Sequence, residues 1–247
     1  MKIETVFSPA LFPFLPGGIA GKQVVVIDIL RATTTMCVAL DRGCEEMIAV
    51  AKVEEALEYR PKGYLLAGER EGYKVEEFDF GNSPQEYDIE KVTGKKIVIT
   101  TTNGTQALSM SRGADKVWVS SFYNLAATVA AIKVVGLPVV MFCSGWKNRF
   151  NMEDTLFAGA MVDLLEREGF AIEDDASRAS LYLWREAQGN LEGFLENANH
   201  VQRFKSMHAE SDLEACLRLD IGSRAILAEY GDEQDGERGC VLKVWEA

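Results

Sequence analysis

The sequence has only two histidines in 247 residues, and neither belongs to an H-x-x-x-H or H-E-x-x-H pair. A zinc hydrolase built on imidazole ligands is therefore not expected. The five cysteines, Cys37, Cys44, Cys143, Cys216 and Cys240, are odd in number and widely spaced, with no C-x-x-C pair. They fit reduced thiols better than disulfides or a zinc site. Positive charge is scarce, with 26 Lys+Arg against 38 Asp+Glu and a formal net charge of -12. This argues against a general nucleic-acid binder, which needs a basic face for the phosphate backbone. No apolar run approaches the roughly 18 residues of a membrane span. Near the start, Glu4 follows Lys2, and Pro9, Pro13 and Pro16 break the only apolar stretch. No export signal is expected there, so the expected location is the cytoplasm. There is no P-loop, no G-x-G-x-x-G after a strand and no G-x-S-x-G elbow. Internal repeats, low-complexity tracts and Gly/Ser linkers are also missing.

What is present is a 47% apolar chain long enough to bury a sizeable core. Its pattern alternates short apolar runs with helical stretches. Strands are expected at 23–30 (QVVVIDIL), 45–50, 64–67, 95–100, 116–120 and 138–143, and a last one at 240–245. Helices are expected at 33–41, 53–59, from about 105, at 125–134 with Asn124 as N-cap, and at 153–168 ending at Gly169. Residues 176 to about 229 read as mostly helical. Strands alternating with helices predict an α/β protein, layered α/β/α around a largely parallel or mixed sheet, with a helical C-terminal region. One domain over residues 1–247 is expected, with a division into two lobes left open.

In such folds ligands bind beyond the carboxyl ends of the strands. Polar residues gather at these positions. Asp28 is a carboxylate inside an apolar strand, costly to bury unless paired or metal-bound. It reads as a metal ligand, a phosphoryl-accepting nucleophile or a cap on the following turn. Thr33 and Thr34 next to Arg31 read as an anion site at a helix start, or as ordinary N-caps. Glu69 and Arg70 lie between Gly68 and Gly72, where backbone can approach a ligand, and Arg70 suits an oxyanion. Asn82 in FDFGNSP and Asn103-Gly104 after TTT have turn chemistry and can also orient a ligand. Glu153 and Asp154 read equally as metal ligands or as acids favoured by a helix dipole. Cys143 reads as a buried small hydrophobe rather than a nucleophile. Mg²⁺, an oxygen-ligated ion, suits the abundant carboxylates.

In order, the blocks VVVIDILRATTT, LLAGEREG, FDFGNSP, TTTNGTQAL, the CSG segment with Glu153-Asp154, and LDIG around Asp220 resemble the 2-phosphosulfolactate phosphatase family. They span about Val24 to Gly222. The resemblance implies a Mg²⁺-dependent hydrolase that cleaves 2-phospho-3-sulfolactate to 3-sulfolactate and phosphate. In some organisms that step belongs to coenzyme M biosynthesis. The residues themselves fit that chemistry: Asp28 with Glu153 or Asp154 is expected to hold Mg²⁺, Arg31 and Arg70 to neutralise the phosphoryl group, and Glu69 to act as base. Thr33, Thr34, Asn82, Asn103 and Gly104 would bind a small anionic phosphate ester. The segment RFNMED departs from the family's small-residue version, which bears on Lys147 and Arg149 as substrate contacts. Asp28 lacks a second Asp two residues on, position 30 being Leu, so a haloacid-dehalogenase mechanism is not implied. Two other readings stay open: a broader phosphatase of phosphorylated 2-hydroxy acids, and a non-enzymatic binder of anionic metabolites. A homo-oligomer is also left open.

Overall fold

The computed structural model of the protein describes residues 1–207, 209–231 and 239–246. The expected first strand is β2, Gln23–Ile27. All five of its residues are buried, with Val24 and Val26 in one core cluster and Val25 and Ile27 in another. Alternate side chains of a strand point to opposite faces, so a continuous apolar run marks a strand covered on both sides. The other expected strands are β3 (Glu46–Val50), β4 (Leu65–Arg70), β6 (Lys96–Thr100), β7 (Lys116–Ser120), β8 (Val139–Cys143) and β11 (Gly239–Val244).

Four more strands join them: β1 (Lys2–Val6), β5 (Tyr73–Lys74), β9 (Ala171–Ile172) and β10 (Ile226–Tyr230). The sheet order is β5-β4-β6-β3-β11-β10-β7-β2-β8-β1-β9. The expected α/β class with a mixed, mostly parallel sheet is what the chain adopts. Two corrections follow. The helical reading of 176 to about 229 ends too late, because the chain leaves its last helix at Leu217 and Ile226–Tyr230 is a strand. The expected strand 23–30 also stops at Ile27, where Asp28 begins the turn into the next helix.

The β10–β11 pair is the centre of the architecture. It is an antiparallel hairpin set between two parallel blocks, β4-β6-β3 on one side and β7-β2-β8-β1-β9 on the other. Three antiparallel pairings in succession give the two blocks opposite nominal senses. Sheet twist of roughly 20–25° per strand accumulates to about 100–125° over the five steps from β2 to β6. The segments that follow β2 and β6 meet, since a Cβ at Gly104 would stand 2.6 Å from Ala32 Cβ, and the cleft is lined from both.

On one face lie α5 (Leu125–Val135), α6 (Met152–Arg167) and α7 (Asp175–Ala187), and on the other α1 (Ala32–Asp41) and α4 (Gly104–Met110). The remaining described α-helices are α2 (Val53–Leu57), α3 (Ile89–Val92), α8 (Leu191–Leu195), α9 (Asn199–Ser206) and α10 (Glu210–Leu217). No described helix is long and apolar enough to cross a membrane. Asn124 precedes α5, but its side chain accepts the Ser121 N–H at 3.0 Å instead of capping the helix. The Asp220 carboxylate accepts the Ala126 N–H at 2.7 Å, which gives the LDIG block a structural task at the start of α5.

Helices α6 and α7 cross closely at Gly159. A Cβ there would stand 2.0 Å from the Ser180 carbonyl oxygen and 2.7 Å from Trp184 Cβ. The contacts are backbone and a packed ring stem, which cannot swing aside. Gly159→Ala is expected to lower the unfolding free energy by about 3 kcal/mol in urea titration, as overpacking of a tight core does. A loss under 1 kcal/mol would contradict this reading of the crossing.

Candidate active site

A cleft of about 550 Å³, counted to its open mouth, lies over the carboxyl ends of β2, β4 and β6. Asp28 lies at its floor and is 7% exposed. The turn after β2 holds this residue by its backbone. The Asp28 N–H donates to Thr33 Oγ1 at 3.0 Å, and the Thr33 hydroxyl and N–H both return to the Asp28 carbonyl at 3.0 Å. Thr34 Oγ1 donates to the Ile29 carbonyl at 3.0 Å. Thr33 and Thr34 are therefore fully buried fasteners of the turn. They do not line the cleft, and neither is an N-cap, because α1 already begins at Ala32. Gly104 leaves room on the other side: a Cβ there would be 3.0 Å from Asp28 Oδ2 and 2.6 Å from Ala32 Cβ.

The carboxylates around Asp28 differ in what engages them. Asp154 Oδ1 accepts the Ile29 N–H at 2.9 Å and Oδ2 the Gly145 N–H at 3.0 Å, so this side chain ties the ends of β2 and β8 together. Both oxygens of Glu69 are also taken by backbone, with Oε2 on the Gly72 N–H at 2.7 Å and Oε1 on the Thr102 N–H at 2.8 Å. Glu153 is fully buried; Oε1 meets His200 Nδ1 at 2.6 Å and Oε2 has no hydrogen-bond partner. Ser144 Oγ and Asn151 Oδ1 from the same β8–α6 connection are likewise buried and unpartnered. Among the described residues no three His, Cys, Asp or Glu side chains form a ready metal cage. Mg²⁺ does not require one, since it takes one or two carboxylates and keeps several waters. Asp28 and the free oxygen of Glu153 fit that donor set, whereas Asp154 is committed to backbone.

Arg31 lines the cleft and is held in place. Its guanidinium pairs with Asp212 of α10 and donates to the Gly72 carbonyl at 2.9 Å. Asp212 also accepts from Ser83 Oγ at 2.5 Å and Gln85 Nε2 at 3.2 Å. Arg70 does not line the cleft. It follows Glu69 on β4, so it points to the opposite face, where it bonds the Glu69 carbonyl at 2.7 Å and Thr100 Oγ1 at 2.9 Å. Asn82 and Asn103 both face the cleft; Asn82 Oδ1 is buried without a partner, and Asn103 Oδ1 accepts the Lys147 N–H at 3.3 Å. The Cys143 thiol is fully buried, and burial lifts its pKa well above the thiol range. It is no nucleophile.

Helix α9 supplies a wall that the sequence reading missed. His200, Arg203 and Phe204 line the cleft from one face of α9, and Met207, just past its end, continues the spacing i, i+3, i+4, i+7. That spacing was the available signal. The His200 ring lies 6.1 Å from Trp146 at 20° and 5.2 Å from Phe204 at 85°, and Arg31 sits 5.2 Å over Phe204. The other histidine, His208, lies outside the described residues.

A family model described as 2-phosphosulpholactate phosphatase matches residues 15–229. A Thermotoga petrophila protein named "Probable 2-phosphosulfolactate phosphatase" is 40% identical over 200 residues, covering 81% of this chain and 86% of its own. A Clostridium perfringens protein of the same name is 32% identical over 250 residues, covering 99% of this chain and all of its own. The chain belongs to the 2-phosphosulfolactate phosphatase family. The family name is that of a phosphatase, an enzyme that hydrolyses phosphoric monoesters, and the cleft over Asp28 lies within the matched residues.

Burial pushes the Asp28 carboxyl up to about 6, against the opposing pull of His200 and the Ala32 N–H; the charges of Glu69 and Glu153 add to the rise. The folded state thus favours the protonated acid over the unfolded chain, where the value is 3.8. The stability gained is complete below pH 3.8 and is lost as pH rises to about 6. At 1.36 kcal/mol per pH unit the loss amounts to about 3 kcal/mol. In EDTA, Asp28→Asn is expected to match wild type in urea unfolding near pH 4 and to exceed it by about that amount at pH 7.5. An equal difference at both pH values would contradict the burial account.

Proposed function

We propose that this protein is a Mg²⁺-dependent phosphatase that hydrolyses 2-phospho-3-sulfolactate to 3-sulfolactate and phosphate. The observation that carries the reading is the buried Asp28 carboxylate in the cleft, with Glu153 near enough for its charge to act on Asp28 and offering an unpartnered oxygen. Family membership supports the substrate, because the relatives bear that name.

In this proposal Asp28 and Glu153 hold the ion. Bound Mg²⁺ supplies charge neutralisation at the phosphoryl oxygens and a more acidic water. Arg31 is anchored by Asp212 and Gly72, and its remaining N–H donors face the phosphoryl group. Phosphoryl transfer depends chiefly on such charge and positioning, because its transition state spreads negative charge over the oxygens. The Asn82 and Asn103 amides orient the substrate from the rim. Glu69, aimed by the Gly72 and Thr102 N–H groups, takes a proton from the attacking water. The water oxygen bonds to phosphorus, the bond from phosphorus to the C2 oxygen breaks, that oxygen takes a proton from solvent to become the 2-hydroxyl, and Glu69 returns its proton to solvent. Arg70 holds the end of β4 from its far face and makes no contact with the phosphoryl group.

Phosphate release from 2-phosphosulfolactate is expected with Mg²⁺ and not with EDTA, and Asp28→Asn is expected to lower kcat/KM at least 100-fold. Release that survives EDTA and the substitution would overturn the assignment. Faster release from 2-phospholactate or phosphoglycolate would favour the broader phosphatase. No release from any of the three would favour the anion binder.

A further inference from the structure

The phosphoryl chemistry at the floor leaves two cations at the mouth without a task. Lys147 follows β8 and Arg203 stands on α9. Both lie over the same ring: Lys147 Nζ is 5.3 Å and Arg203 Cζ 5.3 Å from the centroid of Trp146. Both also meet one carboxylate, that of Glu71 in the β4–β5 turn. Lys147 Nζ is 3.5 Å from Glu71 Oε1, and Arg203 Nη2 is 3.7 Å from Oε2 and donates to the Glu71 carbonyl. Glu71 (φ 53°) and Lys147 (φ 51°) both hold left-handed backbone, an unfavourable conformation for residues with a Cβ.

We propose that Lys147 and Arg203, stacked over Trp146, form the subsite for the sulfonate of the substrate, and that Glu71 holds this place until the sulfonate displaces it. This deepens the phosphatase reading and rests on it. An oxyanion already occupies the position, so the pair accepts one. The substrate's carboxylate is bonded to the same carbon as the phosphate ester and stays with it near the floor. The sulfonate is one carbon further on, and it is the group that reaches the mouth. It presents three acceptor oxygens, which suit the fork of Arg203 and the ammonium of Lys147. The Glu71 side chain is 66% exposed, and exposed ion pairs are weak, so the exchange is not costly.

Calorimetric binding of 3-sulfolactate, compared with lactate, which lacks only the sulfonate, tests this in Mg²⁺ buffer. Wild type is expected to prefer sulfolactate at least tenfold. Lys147→Gln and Arg203→Gln should each reduce that preference several-fold, and together they should abolish it. Glu71→Gln removes the competing charge and should raise sulfolactate affinity several-fold, a gain that misfolding cannot produce. No preference in wild type, an unchanged ratio in the double variant, or no gain in Glu71→Gln would each overturn the subsite. Binding needs no turnover, so the two readings separate. Intact ratios with no phosphate release from phosphosulfolactate would leave the subsite standing without the phosphatase. Phosphate release with flat ratios would do the reverse.

Discussion

The structure depends on keeping one carboxylate, Asp28, out of water at the end of an apolar strand. Burial of a charge is among the costliest acts in folding, and the chain meets that cost with local order rather than with a permanent counter-charge. Thr33 clamps the Asp28 backbone from both sides, and Gly104 lets α4 begin against its side chain. Asp154 ties the neighbouring Ile29 to Gly145, so the ends of β2 and β8 keep a fixed spacing. The raised pKa of Asp28 records what remains unpaid, and a cation placed beside it would relieve that debt.

Charge changes character from the floor of the cleft to its mouth. At the floor Arg31 is buried and fixed by Asp212, and Glu69 is fixed by two backbone N–H groups. At the mouth Lys147 and Glu71 are more exposed than buried, Arg203 is partly buried, and weak pairs hold the three over Trp146. Fixed charges suit a reacting phosphoryl group, because they need no reorganisation when charge develops. Movable charges suit a group that must enter and leave. The two zones come from distant segments. Helices α9 and α10, far from β2 in sequence, supply both His200 against Glu153 and Asp212 against Arg31, a pair 181 residues apart. The C-terminal helices therefore complete the site.

The sequence made the body of the sheet legible, because strands covered on both faces read as continuous apolar runs, as in VVVI. The edge strands β5 and β9 have two residues each, and β1 is only partly covered, so these carry little of that signal. Strand β10 was hidden in a stretch otherwise helical. Asp28, Arg31, Glu69 and Asn103 were legible as polar residues at strand ends and Asn82 as part of a turn-rich segment, and the cleft brings them together. Thr33, Thr34 and Arg70 carry the same residue chemistry but face elsewhere. Only strand alternation and the hydrogen bonds of the turn distinguish them. His200, Arg203 and Phe204 went unread because a single amphipathic helix does not show what its face will meet.

The central claim is that Asp28 is buried in order to hold a cation. Its most direct test is the shift in thermal unfolding midpoint that Mg²⁺ produces in wild type and in Asp28→Asn at pH 7.5. A ligand bound only by the folded state raises stability with its concentration. The account predicts a clear rise for wild type and none for the variant. An equal rise in both proteins, or none in either, would contradict it.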